Sequence, residues 1–271
     1  MEEEFWALNA KLEWSILGDR NTTFFHLFVI CKRHCNKIWC LKDSHGNWTQ
    51  STSELKNLIR NHFISLFTTE CTYSTRSLPL PPTSIMLSDL AVTSLLHPLT
   101  ATNIEFAVKS FKPLKAPGPD GFHPIFFQKY WDSVGNSVST LIQSIFTNKT
   151  MPSHLNSTLI YLIPKFAKPE TISQFRPISL YNTLYKIVTR ILVFRLKPFL
   201  SDLIHPFQTS FIPGRKASDN IILVQEIIHS MNTSESKVGS MAIKIDLEKA
   251  FDRLEWSFIR QTLLFFNFPL N

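Results

Sequence analysis

An α+β fold is what this sequence predicts, on three observations. Apolar residues recur at helical spacing along several segments, the compact β-branched run Thr158–Ile163 stops at Pro164 as a strand does, and a second apolar run leads through Ile243 and Ile245 to Asp246. With 271 residues, 44% of them hydrophobic and 18% charged, the chain can bury a sizeable core, which excludes a disordered tail and points to two globular units.

Taken in order, residues 1–67 read as a mainly helical, basic and aromatic region. Glu2–Leu17 opens with acids at the positive end of a helix, and Leu55, Leu58, Ile59, His62, Phe63 and Leu66 mark one face of another. Residues 68–100 are rich in Ser, Thr and Pro around Leu78-Pro79-Leu80-Pro81-Pro82 and read as a linker. Thr102 and Glu105 make a capping box for a short helix carrying Ile104, Ala107, Val108 and Phe111, ended by Pro113. Lys115-Ala116-Pro117-Gly118-Pro119-Asp120-Gly121 cannot be helical. Val134, Val138, Leu141, Ile142 and Ile145 keep helical spacing, and Thr158–Ile163 is the strand. Two more helices are expected, Thr183–Arg195 with Leu184, Ile187, Val188, Ile191 and Leu192 inward, and about Ser218 to Met231 capped by Ser218 or Asp219. A turn near Ser236–Gly239 then leads into a short buried strand that presents Asp246. No internal repeat is present.

The balance of 28 Lys+Arg against 21 Asp+Glu, formally +7, favours a polyanionic partner. No apolar run reaches the ~18–20 residues of a membrane span, and Met1-Glu2-Glu3-Glu4 is the wrong start for a signal peptide, so the chain reads as intracellular, in nucleus or cytoplasm, and not secreted. Cys31, Cys35, Cys40 and Cys71 all lie within the first 71 residues and none in the rest, against a stapled scaffold. With His26 and His34 three of them have the residue types of a zinc site, but not the spacing of a pair of short knuckles, and they read as ordinary thiols. Arg20, Lys32, Arg33, Lys37 and Lys42 among Phe24, Phe25, Trp39 and Trp48 suit either RNA bound by charge and stacking or a basic helix face over an aromatic core.

Several stretches carry a resemblance: Trp14 to His26, Lys115–Phe122, Leu162-Ile163-Pro164-Lys165, Phe175-Arg176-Pro177-Ile178-Ser179-Leu180, Gln208 through Arg215, and Lys244–Asp252. In this order they resemble the reverse transcriptases of LINE-type, non-long-terminal-repeat retrotransposons of the kind abundant in flowering plants. The resemblance covers nearly the whole chain. It implies that residues 101–271 are the fingers and the first part of the palm of a right-hand polymerase.

It also implies roles. Asp246 is the first catalytic aspartate and a ligand of divalent cations, expected to be Mg²⁺. Phe251 occupies the place of an aromatic gate against the nucleotide 2′-OH, its alternative being core packing, and Asp252 is a structural partner rather than a ligand. Lys165 and Arg176 correspond to finger cations that hold a triphosphate, one a compact charge and the other a fork of donors, or else they are two solvated surface cations. Gln208 and Arg215, with Phe211 and Gly214, lie in the segment near the template, and Lys115 either tracks template backbone or belongs to a plain turn. The implied partners are an RNA template, a DNA primer and deoxynucleoside triphosphates, with no membrane.

The chain departs from that family in one respect that bears on activity. It contains no Asp-Asp pair, and nothing acidic follows Glu255. A two-metal transfer needs more than one carboxylate, so this chain alone is expected not to polymerise. A non-catalytic RNA-binding remnant of a decayed element is the alternative reading.

Overall fold

In the computed structural model, residues 23–69, 85–234, 239–247 and 249–269 are described. The expected helix Glu2–Leu17, most of the Trp14–His26 stretch and the prolines at 79–82 lie outside them. The described residues divide into two compact units, 23–65 with 101–187, and 66–69 and 85–100 with 188–269. These units do not follow the linear ranges 1–67, 68–100 and 101–271. Contacts distant in sequence bind the N-terminal helices to the segment after residue 100, which no local composition signals.

The first unit begins with α1 (Thr23–Asn36) and a two-residue pairing of β1 (Leu41–Lys42) with β2 (Trp48–Thr49). Their turn is held by Asp43, whose Oδ1 accepts the His45 and Asn47 amides at 2.8 Å each, while Gly46 takes the left-handed φ of 85° that a side chain resists. α2 (Thr52–Phe67) turns the expected face inward: Leu55 is buried, and Leu58, Ile59, His62, Phe63 and Leu66 are half-buried. Leu55 joins Leu41 and Phe175 in a core packed by Ile38, Leu58, Ile59, Leu162 and Ile172. Burying one such side chain contributes about 1.5–3 kcal/mol. This cluster seats the hairpin discussed below.

A second packed region in this unit uses α4 (Ala101–Lys109), α5 (Pro124–Lys129) and α6 (Trp131–Asn148), whose Ile104, Ala107, Val108, Val138, Ile142 and Ile145 are buried as the spacing predicts. Thr102 lies within α4 and does not cap it, and Glu105 pairs with Lys109 one turn on, because the helix begins two residues earlier than the capping-box reading placed it. The orphan carbonyls at the end of α4 are met by Gln128, whose Nε2 donates to Val108 O at 3.0 Å and Phe111 O at 2.9 Å. Strands β3 (Thr158–Pro164) and β4 (Phe175–Tyr181) form an antiparallel pair with Thr158 opposite Tyr181 and Pro164 opposite Phe175. α7 (Thr183–Leu196) follows with Ile187, Val188 and Ile191 buried, although Leu192 is exposed.

In the second unit, α3 (Asp89–Leu96) corrects part of the linker expectation. Ser88 caps it by accepting the Ala91 amide, and Leu87 and Ala91 are buried with Leu203 against Phe199, Phe266 and Phe268. The apolar residues Leu87, Ala91 and Leu95 recur every fourth position among the Ser and Thr that mask them in composition. Arg195 closes the end of this helix, donating to Leu95 O at 3.0 Å and His97 O at 2.6 Å. α8 (Leu200–Leu203) leads to α9 (Ala217–Thr233), where the expected caps are displaced: Lys216 holds the N-cap position without a side-chain bond, and Ser218 bonds Asp219 instead. The buried strand expected to present Asp246 is also absent. Residues 239–247 form no regular element, and Ile245 is 82% exposed. A strand persists through its ladder, and among the described residues none pairs with this segment. α10 (Ala250–Arg253) and α11 (Trp256–Phe265) complete the unit.

Among the described residues no helix is long and apolar enough to cross a membrane.

Candidate nucleic-acid and nucleotide interface

Register in the β3–β4 hairpin fixes how Lys165 and Arg176 relate. Arg176 stands opposite Ile163, and the Lys165 amide donates to Gln174 O at 2.9 Å, which carries the ladder one step past Pro164. Because side chains alternate along a strand, Lys165 lies on the face of Ile163 and so on the face of Arg176, one diagonal step away. Both residues are exposed. The Lys165 ammonium rests on Ser173 O at 2.9 Å.

The tip that carries them is braced from within. Thr171 and Gln174 cap a 3₁₀ turn (Ile172–Gln174) reciprocally, and Gln174 Oε1 also accepts the Glu170 amide at 2.7 Å. From β1, the Lys42 amide donates to Glu170 O at 2.7 Å and its ammonium reaches Glu170 Oε2 at 2.6 Å. Both side chains are partly exposed, so that ion pair contributes under about 1 kcal/mol and acts mainly to register the two hairpins. Lys42 also lies 4.9 Å from the Trp48 ring and Lys37 3.8 Å from the Trp39 ring. These two cations are thus drawn onto their own aromatic neighbours, while Trp39 and Trp48 stay half exposed.

The 115–121 loop is pinned by residues whose role the sequence reading missed. Asn182 and Thr183 are buried at the start of α7; Asn182 Oδ1 accepts the Asp120 amide at 3.2 Å, and the Thr183 hydroxyl donates to Phe122 O at 2.7 Å. Gly118 packs so closely there that a Cβ would stand 2.3 Å from the Asn182 nitrogen. Gly121, at φ 74°, closes the turn by donating to Gly118 O. An Asn-Thr pair just before a periodic helix is an ordinary start signal, and it is the only sequence trace of this clamp. Lys115 is exposed on the loop, and the Lys186 ammonium donates to Ala116 O at 2.6 Å.

In the second unit, Arg215 is fastened to its own loop. Nη1 donates to His205 O and Gln208 O at 2.7 Å each, and Nη2 to Ser201 O at 3.0 Å and Ile204 O at 2.9 Å. Four terminal N–H groups meet four carbonyl oxygens, so the guanidinium shapes the segment that carries Gln208. Gln208 Nε2 reaches Ser210 O at 3.4 Å, and Phe211 is 87% exposed at a left-handed φ of 66°. That conformation costs a non-glycine residue about 1–2 kcal/mol. A groove of about 370 Å³ lies alongside, bordered by Phe207, Arg215, Asn220 and Glu226.

Asp246 and Phe251 are both exposed, Phe251 at the start of α10 after Lys249 in a left-handed conformation. Asp252 is half-buried. Among the described residues, no three His, Cys, Asp or Glu side chains come together as a metal site. A carboxylate is the right donor for a hard cation such as Mg²⁺, but Asp246 by itself does not make the octahedral or two-metal arrangement. The residues in hand do not complete that site.

Residues 163–271 match the family model described as reverse transcriptase (RNA-dependent DNA polymerase). Lys165, Arg176, Gln208, Arg215, Asp246 and Phe251 fall inside that match, and Lys115 outside it. The chain is similar to an uncharacterized 149 kDa protein of transposon TX1 from Xenopus laevis, 28% identical over 92% of this chain and 19% of that protein. It is also similar to an RNA-directed DNA polymerase from the mobile element jockey of Drosophila melanogaster, at 24% over 88% of this chain and 26% of the relative. A Pol polyprotein of the retrotransposable element R1 from Bradysia coprophila is 27% identical over 58% and 16%. The chain therefore spans about a fifth of the length of the relatives it matches.

Proposed function

We propose that the chain is part of a reverse transcriptase of the non-long-terminal-repeat retrotransposon kind, like the relatives it resembles, and that it supplies the fingers and the beginning of the palm of an RNA-directed DNA polymerase. The observation that carries this reading is the pair Lys165 and Arg176 on one face of a braced hairpin. Two cations one diagonal step apart, one a point charge and one a fork, suit the oxygens of a nucleoside triphosphate.

In this reading the Lys165 and Arg176 side chains hold the triphosphate of an incoming deoxynucleotide, and Phe251 rejects a ribose 2′-OH. Gln208 and Lys115 face an RNA template annealed to a DNA primer. Arg215 acts on the template through the loop it ties, since its terminal donors are occupied by carbonyls. Asp246 supplies one oxygen ligand toward Mg²⁺. A primer in nicked genomic DNA would place the work in the nucleus.

The second reading, an RNA-binding remnant without chemistry, is favoured by one observation: among the described residues no three His, Cys, Asp or Glu side chains come together as a metal site. Templated primer extension separates the two, using a longer protein that carries this chain together with the rest of the palm that the polymerase reading requires. Asp246→Asn is expected to lower extension by roughly 10²–10³-fold or more while leaving RNA affinity intact. Extension that ignores this substitution would sink the polymerase reading.

A further inference from the structure

We propose that Phe211 stacks on an unpaired base of a single-stranded RNA, an assignment that rests on the template reading above and adds a contact to the base itself. Its ring is 87% exposed, the highest value among the large apolar side chains described. No other ring packs on it among the described residues, whereas Phe207, four residues earlier, meets the His205 ring at 4.8 Å. A loose tip could leave a ring bare in this way, but this loop is fastened. Thr209 and Ile212 beside it are buried. Arg215 holds four carbonyls between Ser201 and Gln208, and Asn220 Nδ2 donates to Phe207 O at 2.8 Å and to Thr209 Oγ1 at 3.2 Å.

Phe211 destabilises the loop that presents it. It holds the left-handed φ of 66° that a Cβ disfavours, and a ring so exposed removes almost no apolar surface from water in exchange. Backbone strain that surrounding bonds enforce is characteristic of binding sites, and an open aromatic face takes any base by stacking. RNA is favoured over a protein partner on charge and on surroundings. From Leu203 to Ser218 there is no Asp or Glu, while Arg215 and Lys216 follow the ring, so phosphates flanking a stacked base meet no carboxylate in that segment. Gln208, Ser210 and Gly214 are exposed on either side in sequence and add little apolar area, whereas protein contacts centre on packed apolar patches.

The test is binding of an oligouridylate carrying one 2-aminopurine to the 271-residue chain, with the emission of that base reporting whether it stacks. Quenching on binding is expected. Phe211→Leu, which keeps the backbone strain and loses the ring, is expected to weaken binding by roughly 5–100-fold and to lift the quenching, with Phe211→Tyr and Phe211→Trp retaining both. The slope of log affinity against log salt is expected to stay unchanged, because no charge is removed. Phe211→Asn suits the left-handed backbone, so it should melt no lower than wild type and bind as weakly as Phe211→Leu. Wild-type affinity in either variant, or quenching that survives them, overturns stacking at Phe211 and leaves the template reading standing. Wild-type protein that binds no oligouridylate overturns both. A wild-type dimer that Phe211→Leu converts to monomer gives the ring to a second copy of the chain and overturns the RNA assignment.

Discussion

Arg215 shows how one side chain can serve a segment without touching a ligand. Its four bonds reach carbonyls from Ser201 to Gln208, one of them part-buried and three exposed, so removing it takes four charge-assisted ties from the loop at once. Arg215→Ala is expected to lower stability by about 2–3 kcal/mol in denaturant unfolding, with Arg215→Lys recovering only part, since an ammonium cannot reach in two directions from a plane. At Asp43 the effect is one of pH. The Asn47 amide foremost, then that of His45, holds this carboxylate below its ordinary value of 3.8. A lowered carboxylate stabilises the folded turn above 3.8 and stops doing so as pH falls through its folded value. The amide shifts of His45 and Asn47 should therefore titrate together below pH 3.8, and Asp43→Asn should abolish that step.

At the scale of elements, hairpin β3–β4 and segment 239–247 are opposites. Each contains alternating or continuous apolar residues, but only the hairpin has a ladder, seven residues paired with seven. Amide hydrogen exchange is expected to be slow across Leu159–Ile163 and fast from Met241 to Leu247, and protection of the latter would show a pairing that the structure lacks. α9 makes a related point, since Ile221, Val224 and Ile228 share a stripe and all are about half exposed. Its spacing was legible, but spacing says only that a face exists. A covering partner has to come from elsewhere in a fold.

For the molecule as a whole, each unit has its own core. Leu203 anchors the cluster that holds α3 and the turn after α11, where Asn267 Nδ2 donates to Leu87 O at 3.1 Å. Leu203→Ala should cost about 2–5 kcal/mol and speed hydrogen exchange in Asp89–Leu96 and Trp256–Phe265 while β3–β4 stays protected. Equal loss of protection in both units would mean that they unfold as one.

The amino-acid sequence by itself determined what depends on near neighbours along the chain. The apolar faces of Thr52–Phe67, Ala101–Lys109 and Trp131–Asn148, the strand from Thr158, the turn at Gly118–Gly121 and the match of 163–271 to reverse transcriptases all follow from local pattern. Tertiary structure alone decided the rest. It turned part of a Ser/Thr/Pro-rich stretch into a packed helix, occupied Arg215 with carbonyls, tied Lys186 to the Ala116 carbonyl and left the Asp246 segment without a ladder among the described residues. The physical reason is common to all four. Burial, hydrogen-bond partners and strand pairing come from residues near in space but not in sequence, and a local pattern specifies which face wants a partner, not which residues provide it.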